Sequence, residues 1–244
     1  MNRFFIEKIN IADKIILLDD PAQLHHLRDV LRARKGEEIA VFDPVHEYLV
    51  KIVEIGAMNI KLEVKEKRPA NLPGIQITVA CAIPKKVKMD DIVDKLTQLG
   101  VVCIIPLETE RVVVKLDKQK KAQRQARWEK IAMSAVKQSQ RSSLVTVKPV
   151  SEFKEIIAAA GDFDLKLIPT LENPRSTLKK IFEPSSRKFE KILILIGPEG
   201  DFSPKEISLA KEAGFLPVDL GRQVLRVDTA AIAAVSFIKL NAEN

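Results

Sequence analysis

Residues 192–196 are five consecutive aliphatic side chains, Ile-Leu-Ile-Leu-Ile, and they run without a break into Gly197-Pro198-Glu199-Gly200. A run that is apolar on both faces must be covered on both sides, which is the situation of a strand in a parallel sheet between two helix layers. The glycines then fall at the carboxyl edge of that sheet, where ligands bind in open α/β folds, and they let backbone come close to a bound molecule. A helix follows. Ser203-Pro204-Lys205-Glu206 is an S-x-x-E capping box with proline at the first helical position, so unpaired N–H groups lie near the same edge. A second loop of this kind, Leu220-Gly221-Arg222-Gln223-Val224-Leu225-Arg226, leads into Val227-Asp228-Thr229-Ala230. Two such loops in one half of the chain predict one shared pocket.

Upstream, strand and helix patterns alternate, which implies a mainly parallel sheet covered by helices. Residues 75–83, 101–106 and 163–168 read as strands. Residues 89–99 read as a helix with Ile92, Val93, Leu96 and Leu99 on one side and Gly100 as its stop. Residues 118–139 read as a long Lys/Arg-rich helix with Ala122, Ala126, Ile131, Ala135 and Val136 inward. The Ser203 helix runs to Gly214, and an alanine-rich helix begins near Thr229. The first seventy residues differ: short β-type segments at 38–42, 48–53 and 59–64 suggest a small barrel. One helix precedes them, with Asp20 as N-cap, Pro21 at its first position, Gln23 completing a capping box, Leu24, Leu27 and Leu31 as its apolar stripe and Gly36 as its stop. Residues 67–74, with two prolines and a glycine, have linker composition.

No phosphate loop, dinucleotide fingerprint, nucleophile elbow or H-E-x-x-H pair occurs in the sequence. His25 and His26 are adjacent and point apart on a helix, so no metal site is expected. Cys81 and Cys103 sit in apolar runs and read as buried strand thiols. Met1-Asn2-Arg3-Phe4-Phe5 lacks the apolar core of a secretion signal, and no apolar run approaches bilayer length. The expected setting is cytoplasmic, with no membrane partner. The 244 residues carry 40 Lys+Arg against 33 Asp+Glu, a formal charge of +7, which allows a polyanionic partner.

Several stretches together resemble the RsmE family, bacterial methyltransferases of the SPOUT superfamily that act at uridine N3 in small-subunit ribosomal RNA. Arg3-Phe4-Phe5 and His25-His26-Leu27-Arg28 with Val30-Leu31-Arg32 are similar to its N-terminal RNA-binding domain. Residues 95–100, Pro106-Leu107-Glu108-Thr109-Glu110-Arg111, Trp128-Glu129-Lys130-Ile131 and Gln138-Ser139-Gln140-Arg141 are similar to its central signatures. Gly197-Pro198-Glu199-Gly200 and Leu220-Gly221 with Leu225-Arg226 are similar to its cofactor loops. The chain departs from the family at Asp201, where a second glycine is usual, at Val227 and Asp228, in place of threonine and glutamate, and at Gln98, in place of glutamate. Aspartate tolerates unusual backbone angles better than most residues.

The resemblance implies an α/β protein with a PUA-like RNA-binding β-barrel over residues 1–70 and a SPOUT methyltransferase domain with a deep trefoil knot over residues 74–244. It implies S-adenosylmethionine as cofactor, 16S ribosomal RNA or the assembled small subunit as partner, and a homodimer. Its cofactor loops map onto Thr170-Leu171-Glu172, onto Ile196 with Gly197 to Gly200, and onto Leu220, Gly221, Leu225 and Arg226 with Thr229 and Ala230. Methylation at uracil N3 displaces a proton and drives negative charge onto the ring carbonyls. Arg226 is the expected donor to that charge, and Glu199 the residue that orients the base or relays the proton. RNA contacts are expected at Arg3, at His25, Arg28 and Arg32, which share a face at i, i+3 and i+7, at Arg34, at Lys85 and Lys88, and at Arg141. Two other readings stay open: a knotted methyltransferase acting on the ribose 2′-hydroxyl, and an RNA-binding assembly factor without catalysis.

Overall fold

The computed structural model describes residues 3–6, 9, 11–30, 32–43, 45–69, 74–84, 88–111, 117–139, 141, 143–183 and 189–242. The chain divides into two compact units, residues 1–72 with 136–144 and residues 73–135 with 145–244.

The first unit holds β1 (Arg3–Phe5), β2 (Ile11–Ala12), β3 (Ile15–Leu18), α1 (Pro21–His25), β4 (Glu38–Phe42), β5 (His46–Ile55) and β6 (Ile60–Pro69). Its strands make one curled sheet in the order β1-β4-β5-β6-β3-β2, parallel only between β1 and β4. The core is Ile16, Leu18, Leu24, Leu27, Val41, Val50, Ile60 and Leu62. β6 alternates buried Ile60 and Leu62 with half-buried Lys61 and Glu63, as a strand solvated on one face must. It then continues to Pro69, so part of the expected linker is strand.

The cap of α1 forms as expected: Gln23 N–H donates to Asp20 Oδ1 at 2.8 Å. The expected box does not close, because the Gln23 side chain instead donates to the Phe5 carbonyl of β1. The helix is also shorter than expected. After one turn it passes into a π-type turn, His26–Val30, and Arg32 lies at φ +51°. Gly36, at φ +96°, serves the turn before β4 rather than a helix end. Leu31 lies outside the described residues.

The second unit runs β7 (Gln76–Ala82), α2 (Lys88–Gln98), β8 (Cys103–Glu108), α3 (Lys118–Gln138), β9 (Thr146–Val147), β10 (Ser151–Glu152), α4 (Phe153–Ala158), β11 (Leu165–Pro169), β12 (Ser176–Thr177), α5 (Leu178–Phe182), β13 (Lys191–Ile196), α6 (Pro204–Glu212), β14 (Leu216–Asp219) and α7 (Val227–Ala242). All its described strands are parallel, in the order β10-β8-β7-β13-β11-β14-β12 with β9 beside β8. The aliphatic run is the sheet's centre and is covered on both faces. Ile192, Ile194 and Ile196 pack with α2, α5 and α7 through Val93, Leu96, Leu178, Ala231 and Val235. Leu193 and Leu195 pack with Phe153, Phe202 and Ile207 on the other side.

On α3 the inward residues are Trp128, Ala132, Ala135 and Val136, the last two as expected. Ala122 and Ala126, expected inward, are exposed. The large indole sets the buried face, and an exposed alanine costs little. Cys81 is fully buried, whereas Cys103, expected buried, is half-buried because it sits at the start of β8; desolvation pushes both thiols up, and they act as small hydrophobes.

The capping box of α6 closes in both directions. Ser203 Oγ accepts from Glu206 N–H at 3.2 Å and Glu206 Oε2 accepts from Ser203 N–H at 2.8 Å. Glu206 Oε1 also accepts from Glu110 N–H at 2.9 Å. Loss of the cap hydroxyl in Ser203→Ala should therefore cost about 1 kcal/mol. Glu206→Ala strands two part-buried donors and should cost about 2–3 kcal/mol. Denaturant midpoints of the two variants check both values and their order.

Candidate active site

The carboxyl ends of β11, β13 and β14 open into a pocket formed by three loops. Thr170 and Leu171 line it from the first loop. Ile196, Gly197, Pro198 and Glu199 line it from the second, and Leu220, Gly221, Leu225 and Ala230 from the third and the helix behind it. Four residues expected there stand in the same segments without lining it. Glu172 turns to Lys211 of α6, at 3.0 Å. Gly200 offers its carbonyl to Arg111 Nη1 at 2.7 Å. Thr229 is exposed on the first turn of α7, and Arg226 is exposed between Leu225 and Val227, both of which line the pocket. Among the described residues the Arg226 guanidinium makes no ion pair or hydrogen bond, and Asp228 is not its partner.

Each glycine of the pocket has its own reason. A Cβ at Gly197 would stand 2.9 Å from the ring of Phe202, which is itself buried. At Gly221 there is open space, but φ is +124°, a conformation that L side chains rarely adopt. Asp219 Oδ1 holds that turn by accepting from Gly221 N–H.

Asp201 takes a left-handed conformation, φ +59°, as its tolerance for such angles allows. It also does what a glycine cannot. Its Oδ2 accepts from Thr170 Oγ1 and from Leu171 N–H, both at 2.8 Å, and its Oδ1 accepts from Phe202 N–H at 2.8 Å. The carboxylate therefore ties the first pocket loop to the second. Arg175 braces the first loop from within: Nη1 donates to the Thr170 carbonyl at 3.0 Å and Nε to Asn173 Oδ1 at 3.2 Å. Gln223 and Val224, within the loop expected there, also line the pocket, as do Arg175 and Asp201, neither of which was picked out in the sequence as a pocket residue. The turn dipeptide Asn173-Pro174 was the one available sign of a shaped loop before Arg175. Asp201→Ala should free the first loop. Loss of two charge-assisted bonds worth about 1.5–3 kcal/mol should speed hydrogen exchange at the Leu171 amide at least tenfold, with exchange in β13 unchanged.

The residues expected to meet RNA are less available. Arg28 spends Nε and Nη2 on Asp29 and Nη1 on the Ala57 carbonyl, and His25 Nδ1 sits 2.8 Å from the same carboxylate. The Arg28 hydrogen bond, with that of His25, holds Asp29 below the usual carboxylate range. Because the helix ends before Arg32, His25, Arg28 and Arg32 do not form one helical face. Arg34 is exposed, and its N–H donates to Glu37. Arg141 is half-buried with Nη2 on Ser143 Oγ at 3.1 Å; desolvation pushes its guanidinium down to about 10, so it stays charged at neutral pH. Lys85 and the side chains of Arg3 and Lys88 lie outside the described residues. Among the described residues no group of His, Cys, Asp and Glu is placed to hold a metal, and no helix is long and apolar enough to cross a membrane.

Comparison with known proteins agrees over both units. Residues 70–239 match the RNA methyltransferase domain family and residues 9–65 the RNA methyltransferase PUA domain family. A ribosomal RNA small subunit methyltransferase E of Bacillus subtilis (strain 168) is 30% identical over 251 residues, covering 100% of this chain and 98% of the relative. One of Synechocystis is 33% identical over 225 residues, covering 89% of this chain and 70% of the relative. The crystal structure of a ribosomal RNA small subunit methyltransferase E from Neisseria gonorrhoeae bound to S-adenosyl methionine superposes with a TM-score of 0.81 at 30% identity, covering 98% of this chain and 97% of that one. With a pocket at the carboxyl edge of its parallel sheet and matches over nearly its whole length, this chain belongs to the ribosomal RNA small subunit methyltransferase E family.

Proposed function

We propose that the chain transfers a methyl group from S-adenosylmethionine to N3 of a uridine in 16S ribosomal RNA, as a cytoplasmic homodimer. The observation that carries this reading is the three-loop pocket, in a chain whose relative from Neisseria gonorrhoeae was solved with S-adenosyl methionine bound. The residues fit that ligand. Ile196, Val218, Leu220 and Leu225 give apolar walls for a nucleoside and an aliphatic arm, and Thr170, Arg175, Glu199 and Asp201 give a few polar groups beside them, the usual make-up of a small-molecule site. β11 lies between β13 and β14 in the sheet although it precedes both in the chain, which supports the knotted connection that the family implies. α7 is apolar nearly all round, with Ile232 and Phe237 half-buried and Leu240 exposed, which supports a partner copy against it.

The cofactor, when bound, supplies a methyl group on a sulfonium. The remaining work falls to the chain. Uracil N3 carries a proton at neutral pH, and its loss spreads charge over the two flanking carbonyl oxygens. Arg226 is exposed between the pocket-lining Leu225 and Val227, with its guanidinium free of described partners, and donates to a carbonyl as that charge grows. Glu199 lines the pocket and orients the base or takes its proton. Arg175 and Asp201 hold the first loop closed rather than touch the base, so that cofactor and uracil meet in line.

Small ribosomal subunits lacking the modification, incubated with the protein and methyl-labelled cofactor, test the reading. Nucleoside mass spectrometry should find label in 3-methyluridine. Label in a 2′-O-methylnucleoside would favour the ribose reading, and intact cofactor binding with no label in RNA would favour an assembly factor.

A further inference from the structure

The positive charge of this protein is concentrated in one helix. The 21 residues of α3 contain seven Lys or Arg and a single Glu, a net +6 of the chain's formal +7. Residues 1–72, which match the PUA family over most of their length, contain twelve Lys or Arg and twelve Asp or Glu and are formally neutral. The N-terminal stretch expected to bind RNA thus has no charge excess to offer a polyanion, and its Arg28 is already engaged.

α3 presents this charge on one side. Trp128, Ala132 and Ala135 are buried, while Lys120, Arg127 and Lys130 are exposed opposite them, with Gln119 and Gln123 between and Arg124 half-buried at the flank. From Lys120 to Lys130 the face is about 15 Å long at 1.5 Å per residue. Lys120 meets Asp117, Lys121 meets Glu108 and Arg127 meets Asp90. Among the described residues Lys118, Arg124 and Lys130 have no ion pair. Elsewhere some cations are met by carboxylates, as in Lys61–Glu54, Lys65–Glu63, Arg68–Glu66 and Lys211–Glu172, and others, such as Lys154, Lys179 and Lys205, stand among mixed charges without a described ion pair. Lys120 and Arg124, Arg124 and Arg127, and Arg127 and Lys130 are spaced i, i+4 and i, i+3, where like charges destabilise a helix. A solvated face under no other demand would mix the signs. This one keeps the repulsion, and a polyanion laid along it would relieve it.

We propose that the exposed face of α3 is the principal phosphate-binding surface of this protein, tracking an RNA backbone without reading its bases. The proposal rests on the reading that the substrate is RNA, and it moves the main electrostatic contact from the N-terminal unit to a helix of the cofactor-binding half. Cations supply the sequence-independent part of RNA affinity by releasing counterions, so each phosphate contact leaves its mark on the salt dependence.

The test measures binding to native small ribosomal subunits across a salt series for the parent, for Lys120→Gln/Arg124→Gln/Lys130→Gln, and for Arg28→Ala/Arg32→Ala. The α3 variant should lose at least tenfold in affinity at about 0.1 M salt and show a log–log salt slope shallower by about 2. Its cofactor affinity should not change and its melting temperature should hold or rise, because the repulsion is removed. The charge-conserving Lys120→Arg/Arg124→Lys/Lys130→Arg variant should bind as the parent does, and the Arg28/Arg32 variant should change the slope less than the α3 variant. A parent-like slope in the α3 variant, or a larger change in the Arg28/Arg32 variant, overturns the assignment of this face while leaving the functional reading intact. A parent that shows no salt-dependent affinity for the subunit overturns both.

Discussion

Arg226→Ala should lower the single-turnover methylation rate by roughly 10²–10³, as loss of one donor to a developing oxyanion does, while cofactor affinity and melting temperature stay close to the parent's. Arg226→Lys keeps the charge but not the planar pair of donors, and should fall between the two. The expectation comes from position and freedom together. Leu225 and Val227 on either side line the pocket, and the exposed guanidinium has no described partner whose loss would loosen the loop. Arg175 supplies the contrast. Two of its nitrogens hold Thr170 and Asn173, so Arg175→Ala should weaken cofactor binding first and the saturated rate much less. Single-turnover rates at saturating cofactor and RNA, measured beside thermal melts, separate the two arginines. A parent-like rate for Arg226→Ala under those conditions would end its catalytic assignment.

Gly197→Val should abolish cofactor binding and destabilise the protein as well. The new Cβ alone would stand 2.9 Å from the Phe202 ring, which is buried and packs at 5.6 Å from Phe153. Overpacking of this kind costs about 1–3 kcal/mol, or several degrees of melting temperature. A smaller neighbour should help, so Gly197→Ala combined with Phe202→Leu should recover part of the affinity that Gly197→Ala loses alone. Gly221→Val differs in kind. Nothing lies within 4 Å of its Cβ, and the cost is backbone strain at φ +124°, about 1–3 kcal/mol. It should reduce cofactor affinity while the melting temperature moves less than in Gly197→Val. Calorimetric titration and melts on the same samples decide this, and unchanged affinity in both variants would remove the pocket from these loops.

The sheet and its helices were legible because their signals are local. Residues 192–196 declare a doubly covered strand, and Ser203-Pro204-Lys205-Glu206 declares a helix start, which the structure realises bond for bond. Loops joined to a shared edge could be inferred from glycine alone. What the sequence hid depends on distant partners. Asp201 reads as a departure from a glycine pattern until Thr170 and Leu171, thirty positions away, are seen to donate to it. The spacing of His25, Arg28 and Arg32 promises one face only if the helix continues, and the π-type turn after His25 removes that premise. Asp29, between them, claims both His25 and Arg28. On α3 the composition was plain, but the sequence did not say that Asp117, Glu108 and Asp90 meet Lys120, Lys121 and Arg127 while Arg124 and Lys130 stand without an ion pair among the described residues.

The pairing of β7 with β13 sets an order of assembly. Gln76 is registered against Lys191 and Cys81 against Ile196, so the central hydrogen-bonded ladder joins segments 115 positions apart. The chain has to close that span before its most buried strand gains a neighbour on that side, and ladders of such separation form slowly. During synthesis β7 and β8 can pair as soon as both emerge, but β7 keeps an open, largely apolar edge until β13 follows. An exposed edge of that kind invites pairing with other chains, so the interval between the two strands is when this protein is most exposed to aggregation. Substitutions that weaken β13 should lower the soluble yield at high expression more than their effect on the finished protein's melting temperature suggests.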